Sequence, residues 1–136
     1  MGERRPNRVL GGAHDQFWQF CKERELRLQR CSACGTLTWP PVDRCEQCGG
    51  TDLEWRPVAG TGTLQSWATF EQRYYDLLPV PWETILVELD EGPLFTSNPL
   101  GFSRDEMVLN MPVRVDFLEC EDENGAFLLP VFRRDE

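Results

Sequence analysis

Four cysteines carry the strongest chemical signature in the sequence. They stand as Cys31-Ser-Ala-Cys34-Gly and Cys45-Glu-Gln-Cys48-Gly, two Cys-x-x-Cys pairs with ten residues between them. A tetrahedral metal site needs four thiolates converging on one ion, and a tight turn brings cysteines three apart to the same side. Gly35 and Gly49 follow the pairs, where a knuckle turn wants left-handed φ. The pattern therefore predicts a structural metal held by Cys31, Cys34, Cys45 and Cys48. Zinc is favoured, because four protein thiolates leave no position open for a catalytic water. A rubredoxin-type iron site uses the same ligands and would make the chain an electron carrier. Nothing else in the chain looks redox-adapted.

Disulfides fit less well. The N-terminus, MGERRPNRVLGGAHD, has arginines with no apolar stretch behind them, so no secretory signal is read there and a cytoplasmic location is expected. Cys21 and Cys120 are isolated and read as small buried hydrophobes. No catalytic constellation emerges. The single histidine, His14, has no nucleophile at a recognisable spacing and reads as a surface residue at a helix start. Asp90-Glu91 belongs to a turn and Glu121-Asp122-Glu123 to a solvated loop, so neither supplies paired acids facing a cleft. No glycine-rich phosphate loop is present. No intrinsic turnover is expected.

Charge separates the halves of the chain. Of 136 residues with a net charge of −9, residues 1–56 hold nine Arg/Lys against eight Asp/Glu, while residues 57–136 hold five against fifteen. A phosphate backbone is bound by neutralising its charge, so the second half opposes nucleic acid. The alternative function, a nucleic-acid-binding zinc-ribbon and OB module, ranks second for that reason. Hydrophobic residues at 40% and charged residues at 27% are ordinary globular composition, and no apolar run is long enough to span a bilayer.

The elements that must position the cysteines follow from periodicity. Residues 1–12 are polar, contain Gly11-Gly12, and are expected to be flexible. From His14 to Lys22, Phe17, Phe20 and Cys21 recur at helical spacing with Trp18 beside them. Such a short helix is unstable alone and must dock its aromatic face. Leu26–Gln29 alternates into the first knuckle and Thr36–Trp39 out of it, with Trp39-Pro40-Pro41 breaking the strand. Asp52–Arg56 is a further short strand. Metal binding should supply much of this module's folding free energy. Residues 57–136 read as all-β, with strands near Gly60–Phe70, Trp82–Leu89, Leu94–Ser97, Val113–Phe117 and Phe127–Phe132. A capping box at Ser103–Glu106 breaks the series between the third and fourth. Five strands in this rhythm suggest an OB-fold barrel, with a small sandwich as the competing fold. Leu64, Ser66, Ala68 and Phe70 are expected to face the core, leaving Trp67 opposite. The organisation is thus mainly β: a helical N-terminus (1–25), a rubredoxin-like zinc ribbon (26–56) and a five-stranded OB-fold barrel (57–136).

The ordered run FWQF, RLQRCSACGTLTWPP, CEQCGG, GTGTLQSWATF, PVPWETILVELDEGP, NMPVRVDF and LPVFR resembles the zinc-ribbon plus OB-fold proteins known as the acyl-CoA-associated OB-fold family. That family was long grouped as a domain of unknown function. The resemblance covers residues 14–134. It implies an accessory subunit that scaffolds a thiolase-like acyltransferase, a thiolase-fold aldolase or an acyl-CoA hydratase, or helps complete its acyl-CoA site. The four cysteines match the family's metal positions one by one; no catalytic residue carries over.

Two sets of binding residues are expected. Phe17 and Trp18 on the helix, with Tyr74, Tyr75 and Trp82 around the loop between the first two barrel strands, are candidates for partner docking. A cleft between ribbon and barrel near Trp39, Pro40 and Trp67 is the candidate for direct acyl-CoA binding. Arg24, Arg27, Arg30 and Arg44 are its phosphate partners.

Overall fold

Residues 2–73 and 78–135 are described in the structure, a computed structural model. Tyr74 and Tyr75 lie outside the described residues. The chain begins with β1 (Glu3–Arg4), followed by the helix α1 (Ala13–Lys22), the only α-helix among the described residues. Phe17 and Cys21, one turn apart, are the residues that α1 buries. No side chain caps its first turn. Asp15 instead accepts the Gly11 N–H at 2.9 Å and complements the positive helix end. The helix stops at Arg24, whose φ of 61° is left-handed and whose N–H donates to the Cys21 carbonyl at 2.8 Å.

The ribbon is a three-stranded antiparallel sheet of β2 (Arg27–Cys31), β3 (Leu37–Thr38) and β4 (Leu53–Pro57), ordered β3-β2-β4. The central β2 buries Leu28 and Gln29 on successive positions. The Gln29 amide donates to the Val42 carbonyl at 2.9 Å and accepts the Val42 N–H at 2.8 Å. A buried side chain thereby ties the segment after Trp39 back to the sheet, with both of its polar ends satisfied.

The second sheet contains β5 (Thr61–Phe70), β6 (Trp82–Leu89), β7 (Leu94–Ser97), β8 (Pro112–Asp122) and β9 (Gly125–Arg134). Its order is β1-β8-β5-β6-β7, with β9 paired to β8. It has the OB-like strand series but does not close into a full barrel. Instead, the segment just past β7 meets β9 through the parallel bridge Pro99–Phe132, and the Ser97 hydroxyl of β7 donates to the Pro130 carbonyl at 2.9 Å. The expected capping box is present, with Ser103 and Glu106 bracketing a single 3-10 turn.

Two details depart from the sequence pattern. A bulge between Leu64 and Ser66 shifts the pairing of β5 with β6. One extra residue exchanges the two faces of everything beyond it. Leu64 is fully buried as expected, but Ser66, Ala68 and Phe70 turn outward, and Trp67 packs against the core. The acidic segment Glu121-Asp122, expected in a loop, continues the β8–β9 ladder as far as the Asp122–Gly125 pair. The reason is the N-terminus. Residues 3 and 4 pair in parallel with Cys120 and Glu121, and Arg8 buries the Asp122 carboxylate. Residues 2–12, within the stretch read from sequence as flexible, run as a strap first along β8 and then onto α1.

The core is shared by all parts: Phe17 of α1, Leu28 of β2, and Leu64, Val87, Phe95 and Phe132 of the second sheet. Gly62 runs close against β6, and a Cβ there would lie 2.3 Å from the Glu88 carbonyl oxygen. Backbone cannot yield cheaply, so Gly62→Ala should destabilise the protein by roughly 1–3 kcal/mol in urea unfolding. A neutral result would contradict this close approach. Among the described residues no helix is long and apolar enough to cross a membrane.

Candidate metal centre and interaction surfaces

The two knuckles are built alike. The Gly35 N–H donates to the Cys31 carbonyl at 2.7 Å, and the Gly49 N–H donates to the Cys45 carbonyl at 2.8 Å. Gly35 and Gly49 take φ of 78° and 77°, the left-handed conformation the sequence called for. The turns deliver one buried and one exposed cysteine each: Cys31 and Cys45 buried, Cys34 and Cys48 exposed. All four sulfurs lie within 4.8 Å of one another, with Cys31–Cys48 at 3.5 Å and Cys34–Cys45 at 3.7 Å. Four thiolates about 2.3 Å from a central zinc would be roughly 3.8 Å apart, so the donor set fits the ion. Gly50 completes the cradle: a Cβ there would stand 3.3 Å from both the Cys31 and Cys48 sulfurs. The chain carries one structural zinc site.

The thiols respond to each other as a cluster. The Thr36 hydroxyl and backbone lower the Cys34 pKa to about 6. Cys48 is lowered by its hydrogen bond with the Gly50 backbone, but the sulfurs of Cys31 and Cys34 outweigh this and push it up to about 12. Sulfurs so close cannot all ionise without a cation among them. Thr36 and Gly50 were not singled out from sequence, although each sits two residues beyond a Cys-x-x-Cys pair.

An aromatic seam ties the metal module to the rest. Trp39 stacks on Phe95 of β7 with centroids 4.4 Å apart and meets Phe17 of α1 at 4.5 Å. Phe17 in turn contacts Trp18 at 5.1 Å, and Trp18 meets Phe127 of β9 at 5.3 Å. Phe17 is only 2% exposed. Its contacts with Trp39 and the core cluster draw it inward rather than to a docking surface. Trp39 and Trp67 also pack on the core while Pro40 is exposed, so these three do not enclose the expected cleft.

The four arginines proposed as phosphate partners are not brought together by a common element. Arg24 ends α1, and Arg44 is exposed in the second knuckle. Arg27 is paired with Glu25 at 3.0 Å and lies over the Phe20 ring. Arg30, three residues further along β2, projects from the opposite face, beside Gly35.

Two grooves lie elsewhere. One of about 530 Å³ runs between α1 and the β8–β9 hairpin, with Trp18, Lys22, Leu10 and Phe127 among its walls. The strap forms its end. Arg8 lies 4.2 Å from the Phe127 ring centroid and 5.5 Å from that of Trp18, whose indole N–H donates to the Val9 carbonyl at 3.1 Å. The other, of about 420 Å³, is lined by Phe70, Leu78, Val80 and Trp82. Arg5 of the strap covers the Trp82 ring at 4.6 Å. The strap contacts are between residues far apart in sequence, and no local pattern announces them.

Residues 18–54 match a family described as ChsH2, rubredoxin-like zinc ribbon domain, and residues 55–118 match ChsH2, C-terminal OB-fold domain. Over 129 residues the chain is 35% identical to a probable enoyl-CoA hydratase alpha subunit of Thermomonospora curvata, covering 95% of this chain and 40% of that protein. It therefore spans less than half of that relative's length. It is also 24% identical over 109 residues to a DUF35 domain-containing scaffold protein of Methanocaldococcus jannaschii, covering 78% of this chain and 77% of the other. A solved chain of the Ltp2-ChsH2(DUF35) aldolase superposes with a TM-score of 0.81 at 34% identity. That match covers 94% of this chain and 98% of that one.

Proposed function

This chain belongs to the ChsH2 (DUF35) family of zinc-ribbon and OB-fold proteins, and from that membership we propose that it is a non-catalytic accessory subunit of a CoA-thioester-processing complex. Its partner on this reading is a thiolase-fold aldolase or acyltransferase, or an acyl-CoA hydratase. One observation carries the proposal. The chain covers 98% of a 34% identical chain from an aldolase, so a unit of this size and fold has a counterpart named with such an enzyme. The scaffold name of the archaeal relative points the same way. The thiol metal site suits a reducing, cytoplasmic setting.

Docking is assigned to the face bearing Trp18 on α1 and to the groove around Trp82, together with Tyr74 and Tyr75, which precede Trp82 in the sequence. Aromatic side chains with one polar end are the residues that anchor such contacts. Direct acyl-CoA binding near Trp39, Pro40 and Trp67, with Arg24, Arg27, Arg30 and Arg44, has weaker support, because both tryptophans are already packed and Arg27 is already paired. Nucleic acid is disfavoured by the acidic second half.

The test is co-expression with a thiolase-fold aldolase from the same genome, followed by calorimetric titration of the purified pair. Trp82→Ala should weaken the complex by roughly tenfold or more, the scale of a hot-spot aromatic. Unchanged affinity would remove the groove from the interface. Hydratase or aldolase turnover by this chain alone would overturn the non-catalytic reading.

A further inference from the structure

The outer face of the second sheet carries a row of side chains that the docking faces above do not use. Leu94 on β7 pairs with Glu88 on β6, Glu88 pairs with Thr63 on β5, and Thr63 pairs with Pro112 on β8. Four adjacent strands place the ends of this row about 14 Å apart. Leu94 is 50% exposed, and Glu88 and Pro112 are exposed with it. Beside Pro112 lies the turn Val108–Met111, closed by the Met111 N–H donating to the Val108 carbonyl at 3.1 Å. It presents Val108 at 63% and Leu109 at 57% exposure.

That turn is held in place. The Asn110 N–H donates to the Leu64 carbonyl at 2.8 Å, and the Leu64 N–H donates to the Met111 carbonyl at 3.0 Å. The Gln65 amide bridges the Asn110 side chain at 3.0 Å and the Thr63 hydroxyl at 2.8 Å, locking the turn to the row. Met107, just before it, is buried. Turn positions ordinarily take small polar residues. Here two aliphatic side chains are fixed against β5 and left in water. A preorganised apolar tip loses little entropy on binding.

Charge selects the occupant. Glu88 lies in the middle of the row, Asp105 is exposed close to the turn, and Arg114, the outward base two residues beyond Pro112, is paired with Asp135 at 3.9 Å. We propose that this face docks a second protein surface, one that presents a lysine or arginine between aliphatic side chains. The base meets Glu88, and the aliphatic groups cover Leu94 at one end and Val108 and Leu109 at the other. Six residues along β6, about 20 Å, separate Glu88 from Trp82. The row is thus centred away from the Trp82 groove, and the proposal rests on its own residues rather than on the aldolase reading.

A photo-cross-linking amino acid at position 109 of the full chain, used in extract of the native cells, tests it. The control carries the same probe at Val9, which is 65% exposed on the strap. The expected result is a cross-link specific to position 109. Its mapped peptide should hold Lys or Arg among aliphatic residues, and Glu88→Lys should suppress it. With that protein purified, Glu88→Lys and the pair Val108→Ser, Leu109→Ser should each weaken binding about tenfold or more, the first most strongly at low salt. All three positions are exposed, so retained thermal stability checks the fold. The proposal is overturned by no cross-link beyond that of the control, by a cross-linked peptide lacking a base, by capture of nucleic acid alone, or by affinities within about twofold of the wild type.

Discussion

Cys45→Ser will cost the protein its bound zinc and, with it, the ordered structure of residues 26–56. The three-stranded sheet of this module includes one strand of only two residues, and few of its side chains are deeply buried. Burial on that scale cannot offset chain entropy. Structural zinc sites supply apparent binding free energies of about 10–16 kcal/mol near neutral pH, and in small modules that is folding free energy. Cys45 is only 2% exposed, so a serine hydroxyl there would be both a poor ligand and a desolvated polar group. The damage should spread. Trp39 leaves the Phe95 and Phe17 rings when the ribbon melts, and the second sheet loses one wall of its core. Metal analysis should fall from one zinc per chain to nearly none. Amide exchange should then accelerate throughout 26–56, more modestly in α1, and least in the β5–β6 pairing. Loss of zinc with unchanged exchange would show that the fold does not rest on the metal, and wild-type zinc content would show that Cys45 is not needed to hold it.

The metal centre was legible because its information is local. Two cysteines three apart, a glycine after each pair and alternation on either side define a knuckle without reference to the rest of the chain. The strands were legible for the same reason. What escaped depended on events at a distance. One extra residue near Ser66 inverts the faces of half of β5, and side-chain types on either side of it do not reveal the insertion. Phe17 and Trp39 have the composition of contact residues. Only the path of β7 shows that Phe95 already receives Trp39. This N-terminal stretch read as polar and flexible because arginines on a strap are indistinguishable from solvated ones until their partners, 114 residues away for Arg8, are in place. Asp122 likewise read as a loop acid.

That last pair makes the second large prediction. Arg8 grips Asp122 with its backbone N–H at 3.1 Å and with Nε at 2.7 Å and Nη2 at 3.2 Å, while the Asn124 N–H adds a fourth bond at 2.8 Å. The Asp122 side chain is fully buried and that of Arg8 is 11% exposed. These bonds hold the Asp122 pKa at about 2, below its ordinary 3.8, with the Arg8 side chain as the largest cause. A carboxylate whose folded pKa is depressed contributes stability that is fully present above its unfolded pKa and is lost as pH falls through the folded one. Here the contribution is about 2 kcal/mol, intact at neutral pH and fading between pH 4 and pH 2. Asp122→Asn removes it and leaves a nearly buried guanidinium without its counterion. Breaking a buried pair in this way costs about 3–5 kcal/mol, and the retained contacts of Arg8 with the Phe127 and Trp18 rings place the loss toward the lower end. Acid also strips zinc from thiolates, so global unfolding would mix two causes. The Trp18 indole N–H, donated to Val9 on the strap, is a local reporter. Its resonance should shift toward the solvent-exposed value in the wild type as pH drops below 4, and should sit near that value at pH 7 in the variant. A resonance that titrates identically in both proteins would mean that the carboxylate does not hold the strap.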